Sequence, residues 1–168
     1  MTVGERLIDT NVLVHAYVLL NARKQIAARE IVLPIWHEGG GLTTLQNLCE
    51  LFTVSTKKIE RPMPVEQAES IVQEILGSEK WCVLDRQKDT VLHAIELVKL
   101  HRAPFWDALI AACMLERGIH TIVTENERDF KKIPGITRVT VQLLIIGIIS
   151  NIIVYCEDRP LSQSTATA

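Results

Sequence analysis

Four acidic residues stand where their types and neighbours could support chemistry. Asp9 follows a short apolar run in "RLIDTNVLVHAY", and Glu50 lies in "TTLQNLCELFTV". Asp107 interrupts "APFWDALIAACML", and Asp129 closes an acidic stretch after "HTIVTENERDF". Converging carboxylates repel one another unless a cation sits among them, and an all-oxygen ligand set selects Mg²⁺ or Mn²⁺ over zinc. An ion so held can lower the pKa of a bound water and neutralise charge on phosphoryl oxygens, which is the chemistry of phosphodiester hydrolysis.

Each acid also has a plainer explanation. Asp9 suits a helix N-cap, Glu50 a solvated helix face, and Glu125, Glu127 and Asp129 a solvated loop. Asp107, in the first turn after Pro104, is favoured by the helix dipole. Yet Asp107 is the sole charge in a run otherwise apolar from Ala103 to Leu115. A helix apolar nearly all round is buried, and a buried carboxylate without a partner is costly.

The elements that must position these acids alternate in type. Arg6 to Ile8 reads as a short buried strand and Asn11 to Leu20 as a helix entered through Asp9-Thr10. Ala22 to His37 is helical in pattern, with Pro34 expected to kink or end it. "GLTT" reads as a strand and Leu45 to Lys58 as a helix with Leu45, Leu48, Cys49 and Phe52 on one stripe. Pro64 opens a helix to Leu76, and Trp81 to Leu84 is a strand. Helices follow at Lys88 to Leu100 and after Pro104, the latter closed by Gly118. Ile119 to Thr124 and Ile136 to Val141 complete the strands. Alternation of this kind implies an α/β chain, a three-layer α/β/α sandwich around a parallel sheet of about five strands. Sites in such sheets lie beyond the carboxyl ends of strands, where Asp9 and Thr124 fall.

The chain has 168 residues, 48% of them hydrophobic and 23% charged, as expected of one globular domain. A net charge of −2 supplies no global attraction for nucleic acid, so such a partner needs local basic patches or a metal. Cys49, Cys82, Cys113 and Cys156 share no metal-ligand spacing and read as buried free thiols in a reducing cytoplasm. The five histidines share none either. Trp36, Trp81 and Trp106 fall among apolar positions and read as core, with Trp106 set apart by its place next to Asp107. Asn11 breaks the Asp-x-Asp pattern of haloacid-dehalogenase-like phosphatases, and no Gly-x-x-x-x-Gly-Lys phosphate loop is present.

Taken in order, "LIDTNVLVHAY", "LTTLQNLCELF", "FWDALIAAC" and "IVTENERDF" resemble the motifs of PIN-domain nucleases, especially the VapC-like toxins of type II toxin–antitoxin pairs. The resemblance spans Arg6 to about Thr140. It implies a Mg²⁺- or Mn²⁺-dependent endoribonuclease, with a small protein antitoxin and a homodimer as expected partners. Carried over by residue, Asp9, Glu50 and Asp107 are the metal-binding acids. Thr10 and Asn11 orient the loop around Asp9, and Thr124 bonds a ligand carboxylate from behind.

Two departures from the pattern carry consequences. Asn126 stands where many relatives have Asp, which leaves Asn126 and Asp129 as alternatives for the fourth position. A degenerate PIN domain that binds RNA or protein without cutting is therefore a second reading. Residues 1–141 read as the nuclease domain and residues 142–168 as an extension, with an apolar run from Val139 to Cys156 and then a polar tail. A packed or dimer-forming element is the first reading of that run, because large apolar surfaces seldom stay exposed. A membrane anchor is the alternative, the run falling just short of the roughly 20 residues that span a bilayer. Basic residues cluster as Arg23-Lys24 with Arg29, as Lys57-Lys58 with Arg61 and as Lys131-Lys132 with Arg138. Lys57, Lys58 and Arg61 are the first choice for RNA contact, because they end the helix of Glu50.

Overall fold

Strands and helices alternate in the expected order in the computed structural model, which describes residues 6–142. The strands are β1 (Arg6–Ile8), β2 (Gly41–Thr44), β3 (Trp81–Leu84), β4 (Thr121–Val123) and β5 (Thr137–Val139). The helices are α1 (Thr10–Tyr17), α2 (Ala22–Glu38), α3 (Leu45–Thr53), α4 (Val65–Gly77), α5 (Lys88–His101), α6 (Phe105–Leu115) and α7 (Glu127–Phe130). All strand pairs are parallel, in the order β3-β2-β1-β4-β5.

That order fixes where a site can form. From central β1 the chain winds outward through β2 and β3, then crosses back to β4 and β5 on the other side. The crevice between β1 and β4 is thus the topological switch point, where loops at the carboxyl ends diverge and leave room for a ligand. Ile8 pairs with Val123 at the end of this ladder. Asp9 and Thr124 are the residues that follow, and the Asp9 N–H donates to the Val123 carbonyl at 3.1 Å.

Alternation along the strands sorts side chains into two cores. Leu7, Leu42 and Ile122 pack under α5, α6 and Phe130 of α7. Ile8 and Val123 face the other way, with α1, α2, α3 and α4. The three-layer sandwich is thereby formed. Helix α6 buries Ala108 through Met114 without a break, the near-continuous burial its sequence predicts.

Several boundaries differ from the sequence pattern. Helix α1 stops at Tyr17 instead of Leu20, with Val18 turning extended and Leu19 and Leu20 exposed. Pro34 does not end α2, which continues to Glu38. The single bond that proline removes is outweighed by tertiary packing, since Ala27, Ala28 and Val32 are fixed in the core. Helix α3 is regular only to Thr53, and Val54–Lys58 forms a π-helical turn. Helix α7 lies in a stretch that composition reads as a loop. Cys113 is buried as expected, but Cys49 and Cys82 are exposed. The apolar run to Cys156, and with it nearly all of the extension at 142–168, lies outside the described residues. Among the described residues no helix is long and apolar enough to cross a membrane.

Gly41 marks the tightest packing in the sheet. A Cβ there would lie 2.5 Å from Ile35 Cγ2 and 2.7 Å from the Trp81 ring. Gly41→Ala is expected to destabilise the fold by about 1–3 kcal/mol through overpacking, read as a lower urea midpoint with an unchanged m-value.

Candidate active site

Asp9 caps helix α1, as its sequence context allows, and that role places its carboxylate at the switch point. Its backbone is extended (φ −77°, ψ 158°) and its Oδ1 accepts the Thr10 N–H at 2.7 Å. Oδ1 also accepts from Asn47 Nδ2 at 2.9 Å, while Oδ2 accepts from Asn11 Nδ2 at 2.7 Å and Thr124 Oγ1 at 2.6 Å. Four donors from four residues hold a carboxylate that is only 6% exposed. Asp9 is thus the cap, and Thr10 and Asn11 are among the donors that fix both its oxygens.

Glu50 reaches the same edge from the second turn of α3. Its Oε2 accepts from Thr10 Oγ1 at 3.1 Å and its Oε1 from Gln46 Nε2 at 2.9 Å. Gln46 Nε2 also lies 3.3 Å from the Trp106 carbonyl, so one amide joins α3 to the start of α6. Helix α3 is aimed by Thr44, whose Oγ1 accepts the Asn47 N–H at 3.0 Å and donates to the Asn47 side-chain carbonyl. That capping pair leaves Asn47 Nδ2 free to hold Asp9.

Asp107 sits in the first turn of α6, half-buried, with Asn126 Nδ2 3.3 Å from its Oδ2. Asn126 is in turn fixed by its own N–H on Thr124 Oγ1 at 2.9 Å. Asp129, on α7, pairs with Lys132 at 3.0 Å. All four acids expected from the sequence therefore gather at one sheet edge.

Their electrostatics follow from burial and crowding. Desolvation pushes the Asp9 carboxyl above the usual carboxylate range against the pull of the Thr124 and Thr10 hydrogen bonds, and the Glu50 charge adds to the rise. Asp107 is pushed up to about 6, by burial first and then by the charges of Asp9, Asp129 and Glu50. Asp129 is held below the ordinary value, chiefly by its hydrogen bond with Lys132. Among the described residues, no three His, Cys, Asp or Glu side chains are drawn close enough to enclose an ion. The acids feel one another electrostatically without converging on a point. The donor set, carboxylate oxygens flanked by amides and hydroxyls, is that of a hard divalent ion.

Asn47 is the residue that sequence reasoning missed. It is fully buried, and its signal was an amide in the first turn of an amphipathic helix directly after a strand. Lys57, Lys58 and Arg61 are exposed on the π-helical turn and the segment after it. No hydrogen bond or ion pair among the described residues joins them to the acids. Lys24 does reach the site's border, pairing with Glu125 at 2.7 Å. Trp81 is core and Trp106 is 60% exposed beside Asp107.

Residues 6–136 match the family model described as "PIN domain". No curated protein matches the chain at a significant level. Solved structures share its fold at low identity. The DNA-bound VapBC structure from Salmonella typhimurium is 22% identical with a TM-score of 0.60, covering 82% of this chain and 98% of that one. A toxin–antitoxin complex from Klebsiella pneumoniae is 20% identical with a TM-score of 0.58, covering 81% and 97%. VapC20 from Mycobacterium tuberculosis, titled a sarcin-ricin loop cleaving toxin, is 21% identical with a TM-score of 0.55, covering 69% and 85%.

A pH dependence follows from Asp107. Its folded pKa of about 6 lies above the ordinary carboxylate range, so the folded state holds its proton more tightly than the unfolded chain. Linkage then makes stability fall as pH rises through that window, and Asp9 acts in the same sense. Without divalent metal, Asp107→Asn is expected to raise Tm at pH 7 and to flatten its decline between pH 4 and about 6, read by thermal melts across pH.

Proposed function

Because the chain belongs to the PIN domain family, we propose that it is a divalent-metal-dependent endoribonuclease, the toxin of a toxin–antitoxin pair acting in the cytoplasm. The observation that carries this reading is the crowding of Asp9, Glu50, Asp107 and Asp129 at the switch point, with Asp107 pushed to about 6. Neighbouring carboxylates whose charges raise the pKa of Asp107 suit a site built around a cation and an anionic substrate.

Asp9, Glu50 and Asp107 would hold a Mg²⁺ or Mn²⁺ ion. When bound, that ion lowers the pKa of water and neutralises phosphoryl charge. The chain's own groups do the rest. Four donors hold the Asp9 carboxylate in place at the switch point, and one of them would give way to let an oxygen coordinate the ion. Asn126 orients Asp107 by donating to it. Asp129, kept ionised beside Lys132, completes the negative field and can accept a proton once Lys132 turns to substrate. Trp106 offers an exposed ring next to Asp107 on which a base can stack.

The toxin–antitoxin and VapBC complexes among the structural neighbours support a protein antitoxin as partner, and a homodimer is part of the same proposal. A second reading is a PIN domain that binds RNA or protein without cutting. Asn126 favours it, because an amide takes the place of a charge and donates to Asp107 instead of adding to the ligand set.

Cleavage of mixed RNAs with Mg²⁺ or Mn²⁺, and silence with chelator, is the expected outcome. Asp9→Asn and Asp107→Asn are expected to lower the rate by roughly 100-fold or more while the circular dichroism spectrum is retained, since each removes several kcal/mol of charge stabilisation. Full activity in both variants, measured by gel-resolved cleavage, would contradict the assignment. RNA binding without cleavage by the wild type would favour the second reading.

A further inference from the structure

An open groove of about 510 Å³ runs along one border of the acidic site, lined by Asn21, Arg23, Lys24, Ile26, Glu125 and Gln142 among others. It shares its wall with the clamp on Asp9. Glu125 follows Thr124 in the chain, and its N–H donates to Asn11 Oδ1 at 3.0 Å while Asn11 Nδ2 holds Asp9. Asn11 thus ties the groove's wall to the carboxylate of Asp9, although none of the four acids lines the groove itself.

The basic residues of this groove are placed against the preference of their helix. Helix α2 begins with Ala22-Arg23-Lys24 and has no acid in its first turn. Cations there oppose the helix dipole, which favours negative charge at a helix start. The cap itself is supplied by Asn21, whose side chain accepts the Lys24 N–H at 3.1 Å. Helix stability thus gives no reason for Arg23 or Lys24.

Lys24 Nζ rests on Glu125 Oε2 at 2.7 Å, with the two side chains 49% and 28% exposed. An exposed pair of this kind contributes little to stability, so exchanging Glu125 for a phosphate costs little. A phosphate oxygen offers Lys24 a charge-assisted hydrogen bond of the stronger sort. A polyanion drawn toward four carboxylates needs such a contact nearby, and Lys57, Lys58 and Arg61 have no tie to the acids.

We propose that this groove carries the RNA backbone into the acidic site, with Lys24 as a phosphate contact that Glu125 holds in place until RNA arrives. The inference rests on the nuclease reading and adds the path of the substrate. RNA is preferred to an acidic protein segment because the groove's wall adjoins the residues that hold Asp9, Glu125 following Thr124 and donating to Asn11.

The test compares wild type, Lys24→Gln, Glu125→Gln and the control Lys99→Gln on α5, using a short mixed-sequence single-stranded RNA. Cleavage kinetics give KM and kcat, and fluorescence anisotropy in chelator gives affinity against salt. Lys24→Gln is expected to raise KM roughly tenfold, with a smaller change in kcat. It should reduce the steepness of log K against log salt by about 0.7, the loss of one phosphate contact on a single strand. Glu125→Gln should lower KM by freeing Lys24, and Lys99→Gln should match wild type. Cleavage with unchanged KM and salt slope in Lys24→Gln would overturn the groove assignment and leave the nuclease reading standing. Binding that weakens in Lys24→Gln although no protein cleaves would support the groove and contradict the nuclease reading.

Discussion

A carboxylate that is 6% exposed must be met by donors or neutralised, and the whole edge of the sheet is arranged around meeting Asp9. Its four donors come from α1, α3 and the residue after β4, so each hydrogen bond also fixes one element against another. The parallel pairing of β1 with β4 brings Thr124 into reach, and the Thr44 cap on α3 brings Asn47. Burial still raises the Asp9 carboxyl above its ordinary range, so the donors offset the desolvation only in part. Structure and chemistry are coupled here, because the groups that hold the fold together at the switch point also prepare a ligand.

Repulsion extends that constraint to the neighbouring acids. Glu50 is held by Thr10 and Gln46, Asp107 by Asn126, and Asp129 by Lys132. Each acid thus has its own neutral or basic partner. Asn126 acquires a clear role in this arrangement. Anchored on Thr124, it donates to Asp107 and stands between that acid and Asp129 without adding charge. The two residues that the sequence offers for the fourth position stand in different places. Asn126 orients a carboxylate, and Asp129 contributes the charge that helps raise Asp107.

The alternation of strands and helices, the parallel sheet and the placing of Asp9 and Asp107 were legible because they follow from patterns that survive in one dimension. A strand ending in Asp and a lone charge in an apolar helix are such patterns. Asn47 was not, since a buried amide in a helix start looks like any polar residue until the Asp9 it serves is placed beside it. The π-helical turn at Val54–Lys58 escaped notice because its residues fit a regular helical pattern. Pro34 misled in the other direction, its local preference being overridden by the packing of α2 on the core. The basic clusters show a further limit. Sequence favoured Lys57, Lys58 and Arg61 for sharing an element with Glu50, whereas Lys24 meets the site through Glu125, 101 positions away along the chain.

The central claim is that these carboxylates form one cation site in which Asp9 is required. Isothermal titration of the wild-type protein with Mn²⁺, set beside Asp9→Asn, tests it most directly. The account predicts saturable binding to the wild type that disappears in the variant. Equal binding by both proteins, or no binding by the wild type, would contradict it.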